Sequence, residues 1–347
     1  MFRVAVAVAV VVVLAALPIY LESFWLQTAL FAMASMIAAI GLTLLVGIAG
    51  QLSLAHAFFV AVGAYGYSYL AGADDAGLGL PPLVALVGAV ALAGVAGALF
   101  SPIAGRVRGI YLGLASLGLV FLGQHILQNA TGVTGGYRGV AVQPFSLFGF
   151  SFSNTSPDSL VILGVPFGQL ERLWYLGLVL VAAALWYGRN LARSRPGRAL
   201  ATLRDSEVAA GVMGVNVFRY KAAAFTVSSM YAGLGGVLLA LAFGRIVPES
   251  FGFVLSVDFL VMIVIGGAGS VGGAAAGAVF VTGLPLVLSH YSGSVPLLAE
   301  PGSGGIGAAE LSRFLYGAAI VAVLLFARDG LAGLARHTSL KVKESLT

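Results

Sequence analysis

Runs of about 20 predominantly apolar residues recur along the whole chain, and this recurrence constrains the fold more than any motif does. A helix of that length crosses a hydrocarbon core of roughly 30 Å with its backbone groups bonded internally. Ten such segments read at about 4–21, 24–48, 54–72, 80–103, 109–128, 172–188, 222–244, 254–268, 271–290 and 312–328. They predict an all-α polytopic membrane protein with about ten transmembrane helices. Composition agrees, with 60% apolar and 9% charged residues, against roughly 45–50% and about 25% in soluble domains. The alternating strands of a transmembrane barrel are absent.

The few charges are segregated. With the N-terminus inside, the inner loops hold 14 Lys and Arg against four acids, and the outer loops hold four basic residues and eight acids. The excess of Lys and Arg orients such a chain, so both termini are expected in the cytoplasm. The same segregation explains the net charge of +5 without nucleic acid. Losing one span between 254 and 290 would carry Arg328, Arg336, Lys341 and Lys343 to the wrong side. Residues 1–21 also have the look of a secretory leader, but retaining them as the first span fits the charge of every later loop. Arg outnumbers Lys 15 to three, a bias of GC-rich bacterial genomes, and the expected location is a bacterial inner membrane.

Residues that carry chemistry are sparse. There is no cysteine, hence no disulfide, thiolate site or thiol nucleophile. No G-x-x-x-x-G-K-[ST] phosphate loop and no H-E-x-x-H or carboxylate cluster occurs. The reading therefore includes no catalytic set, no metal and no cofactor, and any energy source is a partner or an ion gradient. Much of the glycine, 48 residues, falls within apolar runs, where small residues let helix backbones approach closely.

Two places in the spans stand out. Gln51, Ser53 and His56 occupy a polar, glycine-containing joint at 47–57, either part of a translocation path or a tight inner turn. Asp258 lies inside or near the outer end of a span, where an acid costs roughly 2.5–3.5 kcal/mol to insert at a helix centre. It faces a cavity or a partner, or else sits at the outer interface. His56 and His125 each stand alone in apolar surroundings, as hydrogen-bonded helix histidines commonly do. Residues 130–171 form one long outer segment, too irregular to cross lipid.

The strongest interruption is at 189–221, where Arg189, Arg193, Arg195, Arg198, Arg204, Arg219 and Lys221 break the membrane pattern. Such an insert belongs in water on the inner side. Within it, Ser206 is placed to cap a short helix by accepting from a free backbone N–H, and Glu207 in the first turn complements the helix dipole. Ala209 and Ala210 keep one face thin, and Gly214 follows as a turn residue. The element is a candidate docking site for a soluble partner.

Taken in order, G-L-T-L-L-V-G-I-A-G-Q-L-S-L-A-H-A-F-F (41–59), T-G-G (134–136), the insert at 194–221, P-E-S-F (248–251) and G-G-A-G-S-V-G-G (266–273) resemble the branched-chain amino acid ABC transporter permeases of the LivM type. The resemblance covers about 24–290. Ala55 stands where the family usually shows Gly, and Thr43 where it often shows Asn. The resemblance implies a type II ABC importer permease-like fold, with residues 1–330 as permease domain, 189–221 as the loop that docks on an ATPase, 130–171 as the periplasmic loop and 331–347 as a cytoplasmic tail. It implies a second permease subunit, two cytoplasmic ATPases and a periplasmic binding protein as partners. Arg198, Arg204, Asp205, Glu207, Ala209, Ala210 and Gly214 are then coupling residues, with Arg198 and Arg204 pairing to acids on the ATPase or only fixing topology. Substrates would be branched-chain or other hydrophobic amino acids, with urea and short amides as the alternative. A self-sufficient secondary transporter or channel using Asp258 and His56 is the reading from a different class.

Overall fold

The computed structural model describes residues 13–72, 77–107, 109–147, 150–153, 161–162, 165–291 and 307–326, with 330, 331 and 333. The beginning of the first expected span and the tail beyond 333 lie outside the described residues.

Among the described residues the apolar runs are predominantly helical. Helix α1 covers 13–20. It is followed by α2 (Ser23–Leu42), α3 (His56–Ala71), α4 (Pro82–Arg106), α5 (Ile110–Asn129), the single turn α6 (Thr131–Thr134), α7 (Gln169–Arg193), α8 (Arg195–Asp205), α9 (Glu207–Val212), α10 (Val217–Phe243), α11 (Phe253–Gly266), α12 (Val271–His290) and α13 (Ala308–Phe326). Among the described residues, six runs are long and apolar enough to cross a membrane: Ser23–Ile48, α4, α5, α7, α10 and α12. Helices α3 and α11, of 16 and 14 residues, fall short of the ~20 needed. Each adjoins buried irregular backbone, which is tolerated at membrane depth only inside protein.

Helices α2 and α10 form the centre of the bundle. Their apolar windows are 78% and 72% buried, whereas α5 and α7 are each 28% buried and carry their apolar faces outward. Glycine sets the central spacings. A Cβ on Gly63 of α3 would strike the backbone of Gly233 in α10, and one on Gly236 would strike the carbonyl of Val60. Gly277 of α12 likewise meets the Met262 carbonyl of α11. In lipid, close van der Waals packing of this kind replaces the hydrophobic drive that water supplies to soluble bundles.

The described residues of the 130–171 segment are anchored to the helices. Besides α6 it contains strands β1 (Val140–Ala141), β2 (Ser146–Leu147), β3 (Phe150–Ser151), β4 (Val161–Ile162) and β5 (Val165–Pro166). β2 pairs with β3 and β4 with β5, while β1 pairs antiparallel with β6 (Arg245–Ile246), just after α10. Arg172, at the head of α7, donates to the Ser151 carbonyl at 2.5 Å and lies 4.9 Å from the Phe150 ring centre. Two further α7 side chains hold the first helix, because Trp174 Nε1 and the Tyr175 hydroxyl each donate at 2.9 Å to the carbonyls of Leu14 and Ala15.

Candidate functional site

The basic insert folds into α8 and α9, set between α7 and α10. Ser194 caps α8 by accepting from Gly197 N–H at 3.3 Å, Ser206 caps α9 by accepting from Ala209 N–H at 3.2 Å, and Asn216 caps α10 by accepting from Arg219 N–H at 3.1 Å. The expected short capped helix is therefore present. Gly214, at φ +81°, takes the left-handed turn that returns the chain to α10.

One face of α9 is buried and the other is free. Ala210 is fully buried, whereas Val208, Val212 and Met213 are 74%, 85% and 74% exposed. Glu207 turns inward to form an ion pair at 2.5 Å with Lys221 of α10, whose side chain is 3% exposed. An ion pair this buried persists only while both members stay in place. It fixes the position of α9 on the central helix, and Lys221 is the partner that sequence reasoning counted only as a topology charge.

Arg204 performs a second internal task. Its Nη1 donates at 2.9 Å to the carbonyl of Gly47, and its Nε and Nη2 each reach Asp205 Oδ1 at 3.2 Å. Gly50, at φ +68°, lies so close that a Cβ there would approach Arg204 Cγ to 2.5 Å. Arg198 donates to its own insert, at 3.0 Å to the Arg193 carbonyl.

The joint that Arg204 touches begins with a π-helical turn, Thr43–Ile48, a conformation found mostly as a local insertion and frequently at functional sites. Thr43 donates to the Ala39 carbonyl at 2.9 Å, and Ala55 sits at ordinary negative φ with no exposed surface. Neither departure from the related pattern is strained here. Residues beyond the turn are held by serines, two from other helices and one from the joint itself. Leu54 N–H donates to Ser116 Oγ of α5 at 2.8 Å, Ala57 N–H to Ser256 Oγ of α11 at 3.0 Å, and Ala55 N–H to Ser53 Oγ at 3.3 Å. His56 lies 2.7 Å from the Ala38 carbonyl, so its Nε2 carries the proton, and it meets Phe259 edge-on at 5.2 Å. This is the hydrogen-bonded helix histidine. His125 instead lies on α5, where Asn129 donates to its carbonyl at 2.8 Å.

Gln51 is different. It is 4% exposed, and neither its amide oxygen nor its amide nitrogen has a partner among the described residues. A buried polar group left unpaired costs about 1–3 kcal/mol. The joint therefore carries unpaired polar atoms within a tightly packed region. Directly behind it, a Cβ on Gly47 would collide with the carbonyl of Ala268 in the turn between α11 and α12.

This arrangement makes Arg204 the tie between insert and joint. Arg204→Ala should leave the bundle assembled and speed amide hydrogen exchange at Ala49 and Gln51, whose N–H groups bond to the Leu44 and Leu45 carbonyls. A charged hydrogen bond is worth ~1.5–3 kcal/mol when shielded, and Arg204 is 45% exposed, so about a fivefold increase is expected. Unchanged exchange at those two amides would show that the tie carries no load.

Asp258 is not part of the joint. It lines a cavity of about 340 Å³ between α2, α10, α11, α12 and α13, with Arg313, Ser312 and Tyr316 of α13 and Thr282 of α12 on its walls. Ala38 and Phe259, which both contact His56, line it as well, while Gln51, Ser53 and His56 do not. The three joint residues and Asp258, each a candidate for a translocation path, thus lie in two different places. Arg313 was missed, although its spacing of three residues places it beside Tyr316 on the helix. Among the described residues no His, Asp and Glu cluster fits a metal ion.

Comparison with known proteins adds a family. The model for the branched-chain amino acid transport system permease component matches residues 24–324. The high-affinity branched-chain amino acid transport system permease protein LivM of Escherichia coli K12 is 34% identical over 272 residues, which is 76% of this chain and 63% of that protein. Its LivH counterpart is 29% identical over 259 residues, 69% of this chain and 76% of that one. The autoinducer 2 import system permease protein LsrC of Klebsiella pneumoniae is 32% identical over 191 residues, 53% of each chain. The chain thus spans less than two thirds of the LivM relative's length. No solved structure matches it.

Proposed function

From the premise that this chain belongs to the branched-chain amino acid transport system permease family, we propose that it is the membrane subunit of an ATP-driven importer for branched-chain or other hydrophobic amino acids. It is a multi-pass membrane protein, and in this reading it crosses a bacterial inner membrane ten times as a type II importer permease, with both termini in the cytoplasm. A second permease completes the path, two cytoplasmic ATPases drive it and a periplasmic binding protein delivers substrate. The chain itself hydrolyses nothing. The LsrC relative is named for a different cargo, so family membership alone does not fix the substrate.

The observation that carries the proposal is the free face of α9. Three apolar side chains, Val208, Val212 and Met213, project from a basic insert whose short helix is capped at Ser206 and paired to Lys221. Apolar surface held rigidly in water marks a contact surface. Docked in an ATPase groove, α9 would move with the ATPase. Its displacement reaches α10 through Glu207 and Lys221, and the 47–51 joint through Arg204. Nucleotide biases inward against outward access only by binding the two arrangements unequally.

Val212→Asp tests this directly. The side chain is 85% exposed, so folding should change by less than ~0.5 kcal/mol. A charge placed at an apolar interface anchor should cost about 2 kcal/mol or more in binding, at least tenfold in affinity. The variant should insert normally, lose the ATPase on gentle extraction and import little. Retention of the ATPase at wild-type stoichiometry, together with normal uptake, would remove α9 from the docking surface.

A further inference from the structure

We propose that the cavity at Asp258 and Arg313 is a transient binding site for a zwitterionic α-amino acid on its way through the permease; the inference rests on the importer reading and specifies where in this chain the substrate is held. The cavity holds one acid and one base on different helices, Asp258 on α11 and Arg313 on α13. The two side chains share the cavity wall, yet neither group has an ion-pair partner among the described residues. Two opposite charges kept near one another without closing leave room for a molecule that carries both. An ammonium group offers three donors to Asp258, and a carboxylate accepts two parallel N–H bonds from an arginine fork.

The rest of the wall fits the remainder of such a molecule. Thr282 Oγ1 is buried without a partner among the described residues and belongs to the same cavity, so it supplies one further polar contact. Phe31, Phe243, Phe259 and Met262 present apolar surface to the same space, which suits a branched aliphatic side chain. A volume of about 340 Å³ lies at the small end of the ~300–1,000 Å³ typical of ligand pockets. An ionisable residue within a membrane bundle is expensive unless a partner or function retains it, and this pair is retained at the outer ends of its helices, next to Ser250 and Val254. In the proposed orientation that is where a delivered substrate first arrives. Urea and short amides carry neither charge and would leave both side chains unanswered, so the cavity discriminates between the two substrate classes.

The chain contains no cysteine, so a single introduced thiol reports on the cavity alone. Leu286→Cys on α12 and Leu255→Cys on α11 both line it and are each half-buried. The complete transporter carrying either substitution is placed in lipid nanodiscs, and modification of this chain by a small thiol reagent is timed with and without millimolar leucine. Leucine should slow modification at least threefold. Leucinamide, which lacks the carboxylate, and 4-methyl-2-oxopentanoate, which lacks the ammonium, should each protect markedly less. Asp258→Asn or Arg313→Gln in the same background should leave the unprotected rate unchanged, which shows the fold is intact, and abolish the leucine effect. Absence of protection at both reporters in a transporter that imports leucine overturns the site and leaves the importer reading standing. Equal protection by urea or acetamide overturns the charge pairing. Failure of ATP-driven leucine uptake in the unmodified transporter overturns the importer reading, and protection by leucine then still decides the site.

Discussion

In the proposed importer, Glu207→Lys should abolish ATP-driven uptake, and the double exchange Glu207→Lys with Lys221→Glu should restore a substantial part of it. In the native arrangement the Glu207 carboxylate lies 2.5 Å from Lys221 Nζ, with side-chain exposures of 21% and 3%. Removing one member of a buried pair costs roughly 3–5 kcal/mol because the other charge remains without compensation. Glu207 keeps some water, so the lower figure of about 3 kcal/mol applies to neutral loss, and a second cation beside Lys221 adds repulsion. Helix α9 is only six residues long and has little of its own to hold it, so it should leave α10. Uptake in proteoliposomes should fall below a tenth of wild type while insertion and the apolar bundle survive. The double exchange separates two roles. Recovery shows that Glu207 acts by pinning α9 to α10. An inactive double exchange with normal assembly would mean that the native carboxylate itself contacts the ATPase.

That pair also marks where sequence reading stops. The helical runs, the Ser206 cap and the Gly214 turn are local, and they follow from apolar periodicity, capping chemistry and the φ that a turn demands. Close approach through glycine was likewise readable as a tendency, because small residues within apolar runs have few other uses in lipid. Pairings across distance were not. Arg204 reaches a carbonyl 157 residues away, and Arg313 joins Asp258 only because α13 returns against α11. By charge alone Arg204 and Lys221 read as inner-side markers and Arg313 as one of the few basic residues expected on the other side. The separation of Gln51, Ser53 and His56 from Asp258 is of the same kind, since it depends on which wall of α2 and α11 each faces. The π-turn at Thr43–Ile48 has no sequence signature that distinguishes it from the helix preceding it.

Gly47→Val should have the largest effect of any single substitution in the joint, and it tests whether the joint and the α11–α12 turn must stay in contact. Gly47 lies inside the π-turn, where its missing Cβ leaves space occupied by the carbonyl of Ala268. The obstacle is backbone, which cannot rotate aside as a flexible side chain would. Overpacking a tight core costs typically ~1–3 kcal/mol and occasionally more, and a contact with main chain belongs at the upper end. The same displacement would carry the Gly47 carbonyl away from Arg204 Nη1, now 2.9 Å distant, and so would unfasten the insert as well. The expected result is a protein that reaches the membrane but unfolds roughly 5 °C lower in detergent and imports nothing measurable. Gly118→Val provides the control, because no atom lies within 4 Å of a Cβ there, and it should leave stability and uptake near wild type. If Gly47→Val imported at more than half the wild-type rate, the joint could open from the 267–270 turn without consequence. Movement of the insert would then have to reach the bundle through Lys221 and α10 alone.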